Sequence, residues 1–166
     1  MTNTVWLGVD LGNARVGLAL SDLEVSFAHP AGNVEVQRDS FEAIERVIQI
    51  IEDNHVARVI VGYPLLLDGK PGKSAKKAMR WVKSIRARIE SLRHDDDFAL
   101  DEVPVITLSY ERLTTVTAHA MLLDAHVSSR AHRPKVDQQS AVVILQSAID
   151  AKSALRQQGV TRESEI

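Results

Sequence analysis

The sequence predicts one α/β domain with a mixed β-sheet, antiparallel at its start and parallel afterwards. Two patterns indicate this fold class. The chain opens with two apolar runs joined by a tight turn, as in a β-hairpin. Further along, short apolar runs alternate with amphipathic helical segments, which is typical of parallel strands connected through helices. A length of 166 residues and a hydrophobic content of 45% suit a single core.

The first three predicted strands form the antiparallel part of the sheet. Val5–Asp10 and Val16–Leu20 are the two arms of the hairpin. A third, irregular strand is expected within Glu24–Gln37, around a break at residues 29–33 with the sequence His-Pro-Ala-Gly-Asn.

A helix, a strand and a loop are predicted next. The helix has Asp39 as its expected N-cap, and one face carries Phe41, Ile44, Val47, Ile48 and Ile51. Arg58–Gly62 is typical of a buried strand. Tyr63–Gly72 contains two prolines and two glycines, which predicts a long loop.

A second helix is predicted from about Ser74 to Leu92. Its core face consists of Ala75, Ala78, Val82, Ile85, Ile89 and Leu92, at spacings of three and four. The polar run Arg93–Asp97 predicts a solvated loop, and Val103–Leu108 predicts the strand that follows.

Two more helices are expected near the C-terminus, at about Thr114–Ala125 and Val136–Leu155, with a polar segment at residues 126–133 between them. We expect residues 1–155 to form the domain and residues 156–166 to form a flexible C-terminal tail.

Composition excludes several kinds of chemistry. The chain has no cysteine, so any metal must be held by oxygen or imidazole ligands. A net charge of -2 means that nucleic-acid binding would depend on local clusters of Lys and Arg. No apolar run approaches the roughly 20 residues of a membrane helix, and no secretion signal is seen. We therefore expect a cytoplasmic protein that does not bind membranes.

Three acidic residues stand where predicted elements begin or end. Asp10 ends the first strand before a glycine-containing turn, Glu111 follows the last strand, and Asp137 fits the first turn of the last helix. Each also has a purely structural alternative: a turn-forming Asp, or an acid stabilised at a helix start. Together, three carboxylates could bind a hard cation such as Mg²⁺.

Basic residues near these acids are candidate phosphate contacts. Arg15, Arg112 and Lys135 lie nearest to the acids in the motifs, and a basic stripe runs from Lys70 to Lys83. The stripe could bind phosphates or could simply be a solvated helix face. The predicted substrate-binding residues are Arg15, Lys73, Lys76, Lys77, Arg80, Arg112 and Lys135.

Four short motifs together resemble the YqgF family, also called RuvX, of Holliday junction resolvases and pre-16S ribosomal RNA nucleases. The resemblance covers roughly Trp6 to Ile149. The motifs are Val9-Asp10-Leu11-Gly12 with Arg15-Val16-Gly17, Val61-Gly62-Tyr63-Pro64-Leu65 with Asp68-Gly69, Glu111-Arg112-Leu113-Thr114-Thr115, and Lys135-Val136-Asp137 with Ser140-Ala141.

The resemblance implies a ribonuclease H-like fold, with a five-stranded mixed sheet flanked by helices on both faces. It implies a nuclease of the bacterial cytoplasm that uses Asp10, Glu111 and Asp137 as catalytic and metal-binding residues, with Mg²⁺ or Mn²⁺ as cofactor. The favoured substrate is pre-16S rRNA, at its 5' end; branched DNA is the alternative. The ribosome or its precursor is a candidate partner, and the chain is expected to be a monomer or a homodimer.

Two positions depart from the family pattern. Tyr110 stands where the family usually has Asp, and Leu66 stands where it often has Asn. Losing that Asp removes an acid that could support the metal ligands. Two other hypotheses stay open: a phosphate-binding half of an actin-like or sugar-kinase fold, which the short chain argues against, and an inactive RNA-binding module of the same fold.

Overall fold

The computed structural model describes residues 4–12, 15–36, 40–63, 73–98, 100, 102–110 and 129–164. Within these ranges the chain forms five strands and three long helices. The strands are β1 (Val5–Leu11), β2 (Arg15–Ser21), β3 (Ala28–Glu35), β4 (Val56–Tyr63) and β5 (Val105–Tyr110), and the helices are α1 (Ser40–Asp53), α2 (Lys73–Leu92) and α3 (Ser129–Ser164).

The five strands form one mixed sheet in the order β3-β2-β1-β4-β5. β1, β2 and β3 pair antiparallel, whereas β4 is parallel to β1 and β5 is parallel to β4. The predicted change from antiparallel to parallel pairing is therefore confirmed. One edge of the sheet, called the carboxyl edge below, collects the carboxyl ends of β1, β4 and β5 together with the β1–β2 turn.

Helices cover both faces of the sheet because the strands carry apolar residues on both sides. Val5, Leu7 and Val9 of β1 pack into the larger core together with α1 and α2. Alternate residues of a strand point to opposite faces, so Trp6, Gly8 and Asp10 face the other way, toward α3. The smaller core on that side contains Ala19, Val25, Ile60, Ala141, Ile144, Leu145 and Ile149.

Two glycines allow α3 to lie very close to the sheet. A Cβ atom at Gly8 would come within 2.7 Å of the Leu145 Cβ and 2.8 Å of the Ala141 carbonyl oxygen. A Cβ at Gly62 would stand 2.6 Å from the Ile144 Cγ1. At Gly8 the helix backbone itself excludes a Cβ, whereas at Gly62 the glycine makes room for the Ile144 side chain.

The direction of α3 follows from its contacts along β1. Ala141 lies against Gly8, whereas Lys152, further along the helix, lies with its Nζ 4.9 Å from the centre of the Trp6 ring. The helix therefore runs opposite to β1, and its N-terminal half points to the carboxyl edge.

The predicted third, irregular strand is confirmed, but the break expected within it is wrong. Residues 29–33 lie inside β3, where Pro30 pairs with Ala19 and Gly32 has a φ of +92°. β3 is an edge strand, so Pro30 can lack an N–H without breaking an interior ladder. The register with β2 shifts between Gly17 and Ala19, which accommodates the irregular backbone.

The helices differ from their predictions at three places. Phe41 was expected in the core but is 50% exposed, with the Arg88 guanidinium 5.5 Å from its ring. α3 begins at Ser129, seven residues before the predicted start at Val136, and passes through Pro134. α3 also continues past Leu155 to Ser164, so the predicted tail is helical there; its flexibility stays a prediction.

The remaining predicted elements either match the structure closely or lie in residues that the structure does not describe. The core face of α2 is confirmed, and β5 lies two residues later than predicted. Asp39, residues 64–72 and the predicted helix Thr114–Ala125 lie outside the described residues. As far as α1, α2 and α3 are described, no stretch combines the length and apolar composition needed to cross a bilayer.

Candidate functional site

Asp10 is the acidic residue that the structure positions in most detail. It is half-buried near the end of β1 and pairs with Gly17 on β2 and with Gly62 on β4. It shares the α3 side of the sheet with Gly8, two residues earlier. A carboxylate thus stands on the face covered by α3, close to the carboxyl edge.

A row of polar residues and glycines crosses the sheet at the level of Asp10. The strand register aligns Asn33, Gly17, Asp10, Gly62 and Ser109, from β3 to β5. Apolar residues dominate the rows below it, such as the row containing Ala19 and Ile60. The sheet therefore changes from a packed core to a polar surface at this row.

The main chain of Asp137 lies at the same edge as Asp10. Asp137 is one helical turn before Ala141, which contacts Gly8, and this turn advances about 6 Å along α3. The step from Gly8 to Asp10 advances about 7 Å along β1 in the same direction. The Asp137 side chain is outside the described part of the structure.

Glu111 also lies outside the described residues, but the strand before it is well placed. β5 ends at Tyr110, and Ser109 is in register with Gly62 and hence with Asp10, two strands away. The chain therefore leaves β5 at the carboxyl edge, immediately before Glu111.

The sequence analysis placed Lys77 in the exposed basic stripe, but in the structure its side chain does not point into solvent. It is half-buried, and its Nζ donates a hydrogen bond of 2.8 Å to the carbonyl oxygen of Gly12 in the β1–β2 turn. This contact brings the N-terminal half of α2 to the carboxyl edge. Lys76 and Arg80 are exposed, as predicted for the basic stripe.

Arg15 is the first residue of β2 and lies at the carboxyl edge next to the turn. It is two residues from Gly17, so both occupy the α3 side of the sheet, as Asp10 does. Lys73 and Lys135 lie on α2 and α3, but their side chains are not described, and Arg112 lies outside the described residues.

The glycines near Asp10 have packing roles that sequence reasoning missed. The sequence predicts a glycine-containing turn directly after Asp10. Gly12 does form the turn, where its N–H donates 2.9 Å to the Arg15 carbonyl oxygen. Gly17 instead lies within β2, opposite Asp10. The contacts of Gly8 and Gly62 with α3 depend on the fold and had no local signal.

Close to this edge, α3 carries a buried hydroxyl that has no hydrogen-bond partner among the described residues. The Ser140 Oγ is buried, and none of the described residues hydrogen-bonds to it. Ser140 precedes Ala141 and is one turn before Ile144, the residue that covers Gly62. No group of three metal-binding side chains occurs among the described residues, which include Asp10 but neither the Glu111 nor the Asp137 carboxylate.

Solved structures with a similar fold are junction resolvases. One is "T. thermophilus RuvC in complex with Holliday junction substrate", with a TM-score of 0.52, 14% identity and coverage of 90% of this chain and 96% of that chain. Another is the yeast mitochondrial Holliday junction resolvase Ydc2, with a TM-score of 0.58, 10% identity and coverage of 99% and 85%. These likenesses confirm the predicted ribonuclease H-like fold.

Sequence relatives cover nearly the whole chain. A protein of Bifidobacterium longum subsp. infantis named "Putative pre-16S rRNA nuclease" is 60% identical over 88% of this chain and 97% of its own length. A protein of Rhodococcus opacus with the same name is 37% identical over 89% of this chain and 78% of its own length. The family model described as "RuvX: Holliday junction resolvase" matches residues 4–151. The chain therefore belongs to the RuvX family.

Proposed function

We propose that this protein is a divalent-metal-dependent nuclease that hydrolyses phosphodiester bonds, with Asp10, Glu111 and Asp137 as its catalytic and metal-binding residues. The observation that carries the proposal is the position of Asp10 on the α3 side of the carboxyl edge. The main chain of Asp137 and the end of β5 before Glu111 reach that same edge. Family membership supports the same choice of residues.

The residues at this edge fit a hard divalent cation. Carboxylate oxygens are the ligands that Mg²⁺ prefers, and the chain has no thiol that would favour a softer metal. The buried hydroxyl of Ser140 can orient one of the carboxylates or a water molecule at the helix. A bound Mg²⁺ or Mn²⁺ would favour ionisation of water and stabilise the leaving oxygen in phosphodiester hydrolysis.

The basic residues bind and orient the nucleic-acid backbone. Arg15 shares the face and edge of Asp10, so its guanidinium can contact the phosphate next to the cleaved bond. Arg112 and Lys135 adjoin the other two acids in sequence. The exposed side chains of Lys76 and Arg80, with Lys73 one turn earlier on α2, would extend this contact along the substrate, while Lys77 also fixes the β1–β2 turn through Gly12.

Pre-16S ribosomal RNA is the proposed substrate, with cleavage at its 5' end in the cytoplasm. The names of the relatives support this choice, since the 60% identical protein is named for that RNA. The ribosome or its precursor is then the natural partner. The second candidate is a four-way DNA junction, which the description of the family model favours.

A cleavage assay distinguishes the two substrates. The purified protein is incubated with a pre-16S rRNA fragment or with a four-way DNA junction, each with Mg²⁺, with Mn²⁺ or with EDTA. We expect metal-dependent cleavage of the RNA at a faster rate than of the junction. Faster cutting of the junction would favour the resolvase hypothesis, and cleavage of neither would leave an RNA-binding module as the function.

A further inference from the structure

A cationic groove lies on the α3 side of the sheet, away from the candidate acids. It has a cavity volume of about 620 Å³ and runs between the C-terminal half of α3 and strands β4 and β5. Its floor includes Trp6, and the charged residues that line it within the described part of the chain are Arg58, Lys152 and Arg156. The sequence analysis did not single out these three cations.

Two of the cations are held by the Trp6 indole. The Arg58 guanidinium lies 5.0 Å from the ring centre, and the Lys152 Nζ lies 4.9 Å from it. Both distances suit cation–π contacts, which fix the direction of the charged groups. A groove whose charges are already oriented loses less side-chain entropy when it binds an anion.

The positive charges of the groove have no acidic partner among the described residues. The ion pairs found there join Arg88 to Glu45 and Arg93 to Glu90, on the opposite side of the sheet or beyond it. Burial lowers the pKa of Lys152, and the charges of Arg156 and Arg58 lower it further. Three cations that repel one another in this way would be stabilised by a polyanion.

The rest of the lining suits a nucleic-acid strand. Thr107 and Ser109 provide hydroxyl groups on the sheet side, and the exposed side chain of Leu155 provides apolar surface for sugars or bases. Ser109 also belongs to the row that contains Asp10, so one end of the groove reaches the level of the candidate site.

We infer that this groove binds the phosphate backbone of the single-stranded RNA that continues beyond the cleaved bond, an inference that rests on the proposed nuclease function. Trp6 and Asp10 lie on the same side of β1, four residues or about 13 Å apart. The groove thus makes the enzyme select substrates with a single-stranded extension on one side of the cut.

The double variant Lys152→Gln/Arg156→Gln tests this inference, because Arg156 is exposed and Lys152 is only half-buried on α3. The matched control, Arg46→Gln/Arg93→Gln, removes the same charge from the other side of the molecule. Binding of a single-stranded RNA of about twelve nucleotides is measured by fluorescence anisotropy in EDTA at several salt concentrations. Melting temperatures establish that both variants fold.

The groove variant should bind the RNA about tenfold more weakly at ~0.2 M salt, and its salt slope should fall by about 1.4, or ~0.7 for each lost phosphate contact. The control should bind like the wild type. Equal losses in both variants, or no loss in the groove variant, would overturn the inference.

The binding assay does not depend on cleavage, so the two proposals can fail separately. A wild-type protein that binds through the groove but cuts no RNA with Mg²⁺ or Mn²⁺ would contradict the nuclease proposal alone. A protein that cuts RNA while its groove variant binds normally would contradict the groove alone.

Discussion

Replacing Asp10 with Asn should reduce metal-dependent cleavage by more than ~100-fold, because even outer-shell partners of metal sites contribute ~10–100-fold. Asn keeps the shape of the side chain but removes the negative charge that would hold the cation. Asp10 is half-buried between Gly17 and Gly62, so the neutral residue leaves the sheet packing unchanged. Single-turnover cleavage of the RNA fragment at saturating metal measures the effect.

Asp53→Asn is the matched control, since Asp53 is an exposed acid at the end of α1, on the other side of the sheet. It should cut like the wild type. A thermal melt adds a readout that does not depend on activity: Mn²⁺ at ~100 times its Kd should stabilise the wild type by about 2.7 kcal/mol and the Asp10 variant much less. Wild-type cleavage rates in Asp10→Asn would show that this carboxylate is not catalytic.

Replacing Gly8 with Ala should lower the free energy of unfolding by about 1–3 kcal/mol, as overpacking of a core does. The new Cβ would meet the Leu145 Cβ at 2.7 Å and the Ala141 carbonyl oxygen at 2.8 Å, and neither atom can move without the helix. Relief requires α3 to shift away from β1. That shift separates Asp10 from Asp137, so cleavage should fall even at temperatures where the variant is fully folded.

Gly62→Ala is the comparison that isolates the effect of the helix backbone. The three atoms nearest to the new Cβ all belong to the Ile144 side chain. They include the Cδ1 and, at 2.6 Å, the Cγ1. Combining it with Ile144→Ala should recover part of the lost stability, with a coupling of ~1 kcal/mol. No truncation of Leu145 should rescue Gly8→Ala. Denaturant unfolding and cleavage assays measure both pairs, and full activity in a destabilised Gly8→Ala would contradict the link between helix position and catalysis.

The parts of the fold that repeat a period along the chain could be predicted from the sequence. The core face of α2 follows from apolar residues at spacings of three and four, and the hairpin follows from two apolar runs on either side of Gly12. Both patterns are local, so no distant contact is needed to recognise them. The acid Asp10 was recognised for a related reason, since a carboxylate is unusual at the end of a buried strand.

The errors arise where tertiary structure outweighs a local signal. Pro30 and Gly32 indicate a break, but an edge strand with a shifted register accepts both. Pro134 indicates a helix boundary, yet α3 extends through it. Lys77 belongs to the polar side of α2 by its spacing, and only the position of the β1–β2 turn brings the Gly12 carbonyl within reach.

The groove shows a further limit of sequence reasoning. Trp6, Arg58 and Lys152 are separated by about 50 and 90 residues along the chain, and no motif joins them. They meet because β1 pairs with β4 and α3 runs back across both strands. Such a cluster can be found only after the strand order is established.

A crystal structure of the wild-type protein soaked in Mn²⁺, with anomalous data collected at the manganese edge, tests the central claim most directly. We expect an anomalous peak at the carboxyl edge, within bonding distance of oxygens from Asp10, Glu111 and Asp137. Carboxylates of these three residues that point apart, with no anomalous peak between them, would contradict the proposed metal site.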